Sequence, residues 1–219
     1  MPAKPIAMQG AYIEMDHSIA YWDRIAERYA RRPVANEAEY QKKLEVTQRY
    51  LKPDMRVLEF GCGTGSTALL HAPLVREYTA IDLAPAMISI SNRKLAEAGL
   101  ENLLFQVGAL EDVAERAEGY DAVLGLNILH LLEDKDKAIQ QVYDLLKPGG
   151  VFVSSTACLK QGINPYRFIA PFTRWFKLPM VKAFKRSDLE ASMERVGFKI
   201  DYRWVPEGNK LVYFLVVVK

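Results

Sequence analysis

A chain of 219 residues, 50% hydrophobic and 26% charged, has the make-up of one globular domain with a good-sized core. Its net charge of +2 gives no footing for a nucleic-acid partner, and Cys62 and Cys158 supply neither a disulfide framework nor metal-ligand spacing. The N-terminal stretch lacks an apolar signal core and no run is long enough to span a bilayer, so a cytoplasmic protein is the expectation.

After a start expected to be mobile, Ile19, Trp22, Ile25, Ala26 and Tyr29 recur at helical spacing, and Pro33 ends the run. Asn36 followed by Glu39 reads as the capped start of a second helix carrying Tyr40, Leu44 and Leu51. Strands and helices then alternate, the signature of a parallel sheet covered on both faces. Strands are predicted near 55–60, 78–82, 103–107, 121–127 and 151–156. Pro85 suits the first turn of the helix after the second strand and Gly99 its end, and a further helix is predicted over 134–146. Ser187 with Glu190 has the pattern of a capping box opening a last helix that ends by Gly197. Two final strands, 199–206 and 211–218, flank a hairpin turn at Glu207-Gly208-Asn209-Lys210.

The chemistry is concentrated in residues 57–65, Val-Leu-Glu-Phe-Gly-Cys-Gly-Thr-Gly. An apolar strand runs into a carboxylate and then into a turn with glycine at alternate positions. Glycine is required where the backbone turns tightly or lies against a ligand. Ser66 and the residues after it can open a helix whose free N–H groups face that ligand. This is not the dinucleotide fingerprint, because one residue, Thr64, separates Gly63 from Gly65 where that pattern needs two. Glu59 would repel a pyrophosphate and better suits a cofactor with a cationic end. Cys62 reads as a small filler within the loop.

This spacing resembles motif I of the class I S-adenosylmethionine-dependent methyltransferases, and the rest of the chain keeps the resemblance. Asp82 ends the second strand; Tyr120 to His130 looks like the fourth strand and its exit; Leu146-Lys147-Pro148-Gly149-Gly150 looks like the turn into the fifth. The closest look is to the small-molecule branch that includes quinone-biosynthesis methyltransferases. The resemblance implies an α/β fold, a doubly wound, mostly parallel seven-stranded sheet with an antiparallel C-terminal edge and an inserted lid. It divides the chain into a helical cap (1–50), a cofactor-binding core (51–156), a lid (157–186) and a final helix with β-hairpin (187–219). It implies S-adenosyl-L-methionine as cofactor, lying on Gly61, Gly63 and Gly65, with Glu59 toward its aminoacyl end and Asp82 on its ribose. Leu83 and Met87 would offer apolar surface to the adenine, and the Asn127 carbonyl would contact the methionine portion. Tyr21, Trp22 and Tyr29 either cover the cofactor or pack an amphipathic helix. Many relatives carry Gly-Asp after the third strand, whereas this chain has Gly108-Ala109. Glu111 or Asp112 could substitute, or the backbone of Ala109 and Leu110 alone is used. A missing acceptor of this kind costs about 1 kcal/mol.

His130 is either a general base or a structural histidine at a strand-to-helix junction. Residues 160–186 combine aromatics and bases, Tyr166, Arg167, Arg174, Trp175 and Phe184 among them, with no acidic residue. They read as a lid walling an apolar pocket for a small-molecule acceptor with an anionic group, or as a contact with an anionic membrane surface. The alternative from another class is a non-catalytic cofactor-binding module serving as regulator or partner subunit. A nicotinamide oxidoreductase is disfavoured by the glycine spacing and Glu59. Base methylation is disfavoured because Asn127-Ile128-Leu129-His130 replaces an Asn-Pro-Pro-Tyr-like tetrapeptide.

Overall fold

The computed structural model describes residues 6–113, 119–160 and 181–219, with side chains from residue 17 onward. Its elements in chain order are α1 (Ile6–Ala30), α2 (Glu37–Gln48), β1 (Arg56–Phe60), α3 (Ser66–His71), β2 (Glu77–Asp82), α4 (Pro85–Ala98), β3 (Leu103–Val107), β4 (Tyr120–Leu126), α5 (Lys135–Leu145), β5 (Leu146–Ala157), α6 (Arg186–Val196), β6 (Lys199–Trp204) and β7 (Val212–Val218). The strands form one sheet in the order β3-β2-β1-β4-β5-β7-β6. The first five are parallel, and β7 runs antiparallel between β5 and β6. Reversal of strand order between β1 and β4 opens a crevice at the carboxyl ends of the strands.

Side chains alternate along each strand and feed two apolar layers. Val57, Tyr78, Phe105, Leu124, Val153 and Phe214 pack on one face with Ala68, Ile88 and Val46. Leu58, Phe60, Val123, Phe152 and Leu215 pack on the other with Ile139, Val142, Leu189 and Met193. The central strand β4 buries Ala122, Val123 and Leu124 completely, as a strand covered on both faces must.

The expected elements are present, with three corrections. Helix α1 reaches back to Ile6, well before Ile19. Strand β5 begins at Leu146, which pairs with Tyr120 ahead of an irregularity in register, and the ladder resumes at Ala122 with Val151. Helix α6 is not opened by a Ser187–Glu190 box. It starts at Arg186, and the Asp188 carboxylate at its third position reaches back to the Lys185 N–H at 2.9 Å. The Asn36 cap holds, its side chain accepting from the Glu39 N–H at 3.1 Å. Pro85 and Gly99 bracket α4 as expected, with Gly99 left-handed at φ 65°.

His71 is fully buried with neither ring nitrogen hydrogen-bonded, and burial lowers its pKa to about 4. The unfolded chain takes up this proton near pH 6.5 and the folded protein only near pH 4. Stability is therefore unaffected above 6.5 and is lost as the pH falls through that window, by about 3 kcal/mol at its lower end. Urea denaturation from pH 8 to 4 should show His71→Leu tracking the wild type above pH 7 and gaining on it progressively below 6.5. Parallel curves throughout would contradict the assignment.

Candidate functional site

The glycine turn leaves β1 at the crevice with Gly61, Gly63 and Gly65 all left-handed, at φ 66°, 55° and 72°. Their surroundings differ. A Cβ on Gly61 would meet the Ile128 side chain at 2.7 Å, and one on Gly65 would meet the Phe105 ring at 2.5 Å and Ser91 Oγ at 2.9 Å. A Cβ on Gly63 would meet nothing within 4 Å. Gly61 and Gly65 therefore serve the protein's own packing, and Gly63 presents the open stretch of backbone. The Ser91 hydroxyl donates to the Gly63 carbonyl at 3.0 Å, and Lys94 Nζ donates to the Thr64 carbonyl at 3.0 Å and to Ser66 Oγ at 2.9 Å, so α4 holds the turn from behind. Cys62 is 9% exposed, with its N–H on the Ile81 carbonyl at 3.0 Å.

Asp82, at the end of β2, joins the turn to α4. Its Oδ2 accepts from the Gly63 N–H at 2.8 Å and its Oδ1 from the Ala84 N–H at 2.9 Å. A carboxylate has about four acceptor sites, so capacity remains for a ligand. Burial raises its pKa, the two amides oppose that rise, and the charge of Asp23 adds to it. Glu59 is 2% exposed and accepts from the Tyr78 hydroxyl at 2.6 Å. Burial lifts its pKa to about 7, against the pull of Tyr78 and with a further push from Asp82. The side chain foreseen as facing a ligand is thus also tied to a buried tyrosine.

Helix α1 docks beside this site. Asp23 accepts from the Ala86 N–H at 2.8 Å, capping α4, whose own N-cap residue Ala84 has no side-chain acceptor. Trp22 packs on the cluster of Ala26, Ala84, Met87 and Ile90, flanked edge-on by the Tyr21 and Tyr29 rings at 5.3 and 6.0 Å. Met87, at 2% exposure, is enclosed in this helix contact, whereas Leu83 keeps partial exposure at the strand exit. Tyr29 is 45% exposed; desolvation and then the charge of Asp82 raise its pKa.

Beyond β3, Asp112 Oδ2 accepts from the Ala109 N–H at 2.9 Å, while Glu111 reaches Lys137 at 3.7 Å. Of the two acids near Ala109, Asp112 is the one that stands beside it. The Leu110 carbonyl accepts from Gln141 at 2.7 Å and its side chain is buried. Gly108, Ala109 and Asp112 line a cavity of about 520 Å³ together with Thr79, Ile81 and Gln106.

Asn127, just past β4, is the one non-glycine residue with positive φ (59°) among those described. Its N–H donates to the Ser155 carbonyl at 2.6 Å, and its side-chain oxygen accepts from Ser155 Oγ at 3.3 Å. Backbone strain of this kind, held by neighbours, concentrates where a ligand is met. His130 Nδ1 accepts from the Ala157 N–H at 3.4 Å and lies 3.1 Å from Thr156 Oγ1. Burial lowers its pKa to about 4. His130 is thus neutral here, with Nδ1 turned to the β5 backbone. Tyr166, Arg167, Arg174 and Trp175 lie outside the described residues. Phe184, also expected in the lid wall, is 5% exposed in the core beneath α6. The N–H of Lys182 donates to the His130 carbonyl at 2.8 Å and that of Lys160 to the Phe184 carbonyl at 3.1 Å, which ties both stems of this segment beside β5. Among the described residues no His, Cys, Asp and Glu group could hold a metal, and no helix is long and apolar enough to cross a membrane.

Residues 57–150 match the family model of a methyltransferase domain. A ubiquinone biosynthesis O-methyltransferase of Xanthomonas axonopodis pv. citri is 36% identical over 116 residues, 52% of this chain and 48% of that protein. The methyltransferase YcgJ of Bacillus subtilis is 31% identical over 102 residues, 47% of this chain and 40% of that protein. The chain thus spans about half the length of the curated relatives it matches, or less. The YcgJ crystal structure superposes with a TM-score of 0.64 at 18% identity, covering 81% of this chain and 96% of that one. Phosphoethanolamine N-methyltransferase 2 of Haemonchus contortus, solved with S-adenosyl-L-methionine, gives 0.70 at 15% identity, covering 82% and 52%. The [4+2]-cyclase SpnF gives 0.68 at 16% identity, covering 81% and 80%.

The different surroundings of the glycines predict different variants. Gly65→Ala forces a methyl into Phe105 and should cost about 3 kcal/mol from overpacking and left-handed strain. Gly63→Ala carries only the strain, about 1 kcal/mol. Chemical denaturation of both proteins checks the ranking, and equal losses would refute it.

Proposed function

We propose that this chain, whose residues 57–150 match the family model of a methyltransferase domain, is an enzyme that transfers a methyl group from S-adenosylmethionine to a small-molecule acceptor. The acceptor has an apolar or aromatic body and an anionic group. The observation that carries this reading is the pairing of open backbone at Gly63 with the Asp82 carboxylate. A Cβ-free approach beside a carboxylate with unused lone pairs fits a ribose diol, and the site's carboxylates fit a cationic cofactor where they would repel a phosphate.

When bound, S-adenosylmethionine supplies a methyl group already activated on a sulfonium sulfur. The protein's own work is then alignment and exclusion of water. Asp82 holds the ribose hydroxyls, Leu83 offers apolar surface to the adenine, and Asp112 supplies the acceptor that Ala109 lacks. The left-handed backbone at Asn127 presents its carbonyl to the aminoacyl end, and Glu59, ionised, balances the positive charge there. Tyr21 and Tyr29 cover the site from α1. His130, held neutral by burial, orients the acceptor, and an acceptor that needs deprotonation reaches the site as its anion. The likeness to a quinone-biosynthesis enzyme supports an aromatic acceptor.

Calorimetric titration with S-adenosylmethionine and S-adenosylhomocysteine tests the reading. Micromolar affinity is expected for the wild type and at least tenfold weaker binding for Asp82→Ala. No binding at millimolar ligand, or unchanged affinity in the variant, would overturn it. A second expectation concerns pH. Because the Glu59 pKa is raised to about 7, its charged form grows in as the pH rises through neutrality. Affinity for the cationic cofactor should be about tenfold weaker at pH 6 than at pH 8, and Glu59→Gln should flatten that dependence. A profile unaltered by the substitution would remove Glu59 from the site.

A further inference from the structure

Helix α1 has two faces where it crosses α4. Asp23 and Glu27 are the only acids between residues 18 and 32, and both turn toward α4. Asp23 caps Ala86, and Glu27 pairs with Arg93 at 2.6 Å. Trp22, Ala26 and Ala30 turn the same way. The opposite face keeps its cations. Tyr21, Ile25, Arg28, Tyr29, Arg31 and Arg32 line a cavity of about 550 Å³. Arg28, Arg31 and Arg32 are exposed and form no ion pair among the described residues, although the charge of Arg31, one turn on from Glu27, helps lower that carboxyl's pKa, and the neighbouring Arg24 stacks on Tyr21 at 5.5 Å. Exposed arginines ordinarily cost nothing, but three beside two tyrosines and an isoleucine make a specific surface. Each guanidinium is planar, permanently charged and shaped for two-point contact with an oxyanion. Tyr29 lines the cavity and meets the Trp22 ring edge-on at 6.0 Å, and Trp22 packs on Ala84 and Met87 beside Asp82, so the cavity adjoins the proposed cofactor site.

We propose that this cavity is the subsite for an oxyanion, a carboxylate, sulfate or phosphate, carried by the methyl acceptor, with Tyr21 and Ile25 receiving its apolar body. This rests on the methyl-transfer reading above and moves recognition of the anion from the segment after β5 to α1. The cofactor's own carboxylate is a second source of the same chemistry. Three cations exceed what one carboxylate needs, and Ile25 adds an apolar wall for which an aminoacyl group has no use.

The test combines Arg28→Gln, Arg31→Gln and Arg32→Gln in one protein, substitutions on an exposed helix face that leave the fold intact. Two probes that differ in charge, 4-hydroxybenzoate and 4-hydroxybenzyl alcohol, are titrated into wild type and variant saturated with S-adenosylhomocysteine. The wild type should bind the acid at least tenfold more tightly than the alcohol. The variant should lose that preference while keeping its affinity for S-adenosylhomocysteine. A wild type without preference for the acid, or one that binds neither probe, overturns the proposal, and so does equal weakening of acid and alcohol. Weakened S-adenosylhomocysteine binding alongside unchanged binding of 5′-methylthioadenosine, which lacks the aminoacyl group, overturns it in favour of the cofactor's carboxylate. If S-adenosylhomocysteine does not bind the wild type at all, the methyl-transfer reading fails. The comparison of acid with alcohol, run without it, then still decides whether α1 carries an anion site.

Discussion

Two backbone N–H groups, Gly63 and Ala84, converge on the carboxylate of Asp82, and the site is assembled around that convergence. One bond fixes the glycine turn and the other fixes the head of α4. The next polar contact along α4, Ala86 to Asp23, fixes α1. Turn, helix and cover are thereby referenced to one side chain at the end of β2. The arrangement has an electrostatic consequence. The charge of Asp23 raises the pKa of Asp82, and that of Asp82 raises the pKa of Glu59, so the crevice holds carboxylate repulsion that a cation relieves. Hydrogen bonding from Tyr78 offsets only part of the cost of burying Glu59.

The same geometry explains how the glycines divide their work. Gly61 and Gly65 are needed because side chains crowd them, and Gly63 for its left-handed backbone alone, its surroundings being open. A motif of alternating glycines thus contains one position with open backbone and two serving the packing around it. Helix α4 braces the motif through Ser91 and Lys94.

Much of the fold was legible because its signals are local. Alternating apolar runs gave the strands, and Pro85, Gly99 and Asn36 gave helix ends through their own backbone or side-chain chemistry. The Ser187–Glu190 cap failed because two patterns offset by two residues overlapped and Asp188 took the role. The candidate site was legible where the signal is local, as in the glycine turn, whose Gly61, Gly63 and Gly65 are all left-handed. It was illegible where a partner comes from far along the chain. Asp23 caps a helix that begins more than sixty residues later, and Tyr78 reads as one more apolar residue of β2 until β1 lies beside it. Met87, singled out for adenine, is consumed by a helix contact that no local pattern announces.

The fold alone does not choose the reaction, since a [4+2]-cyclase shares it at this level of likeness. The choice rests on what Gly63 and Asp82 are for. A crystal structure of the chain soaked with S-adenosylhomocysteine tests that most directly. The account predicts the ligand's ribose hydroxyls on the Asp82 carboxylate, with the nucleoside lying across the open backbone of Gly63. A ligand bound elsewhere, leaving Asp82 with only the Gly63 and Ala84 amides, would contradict it.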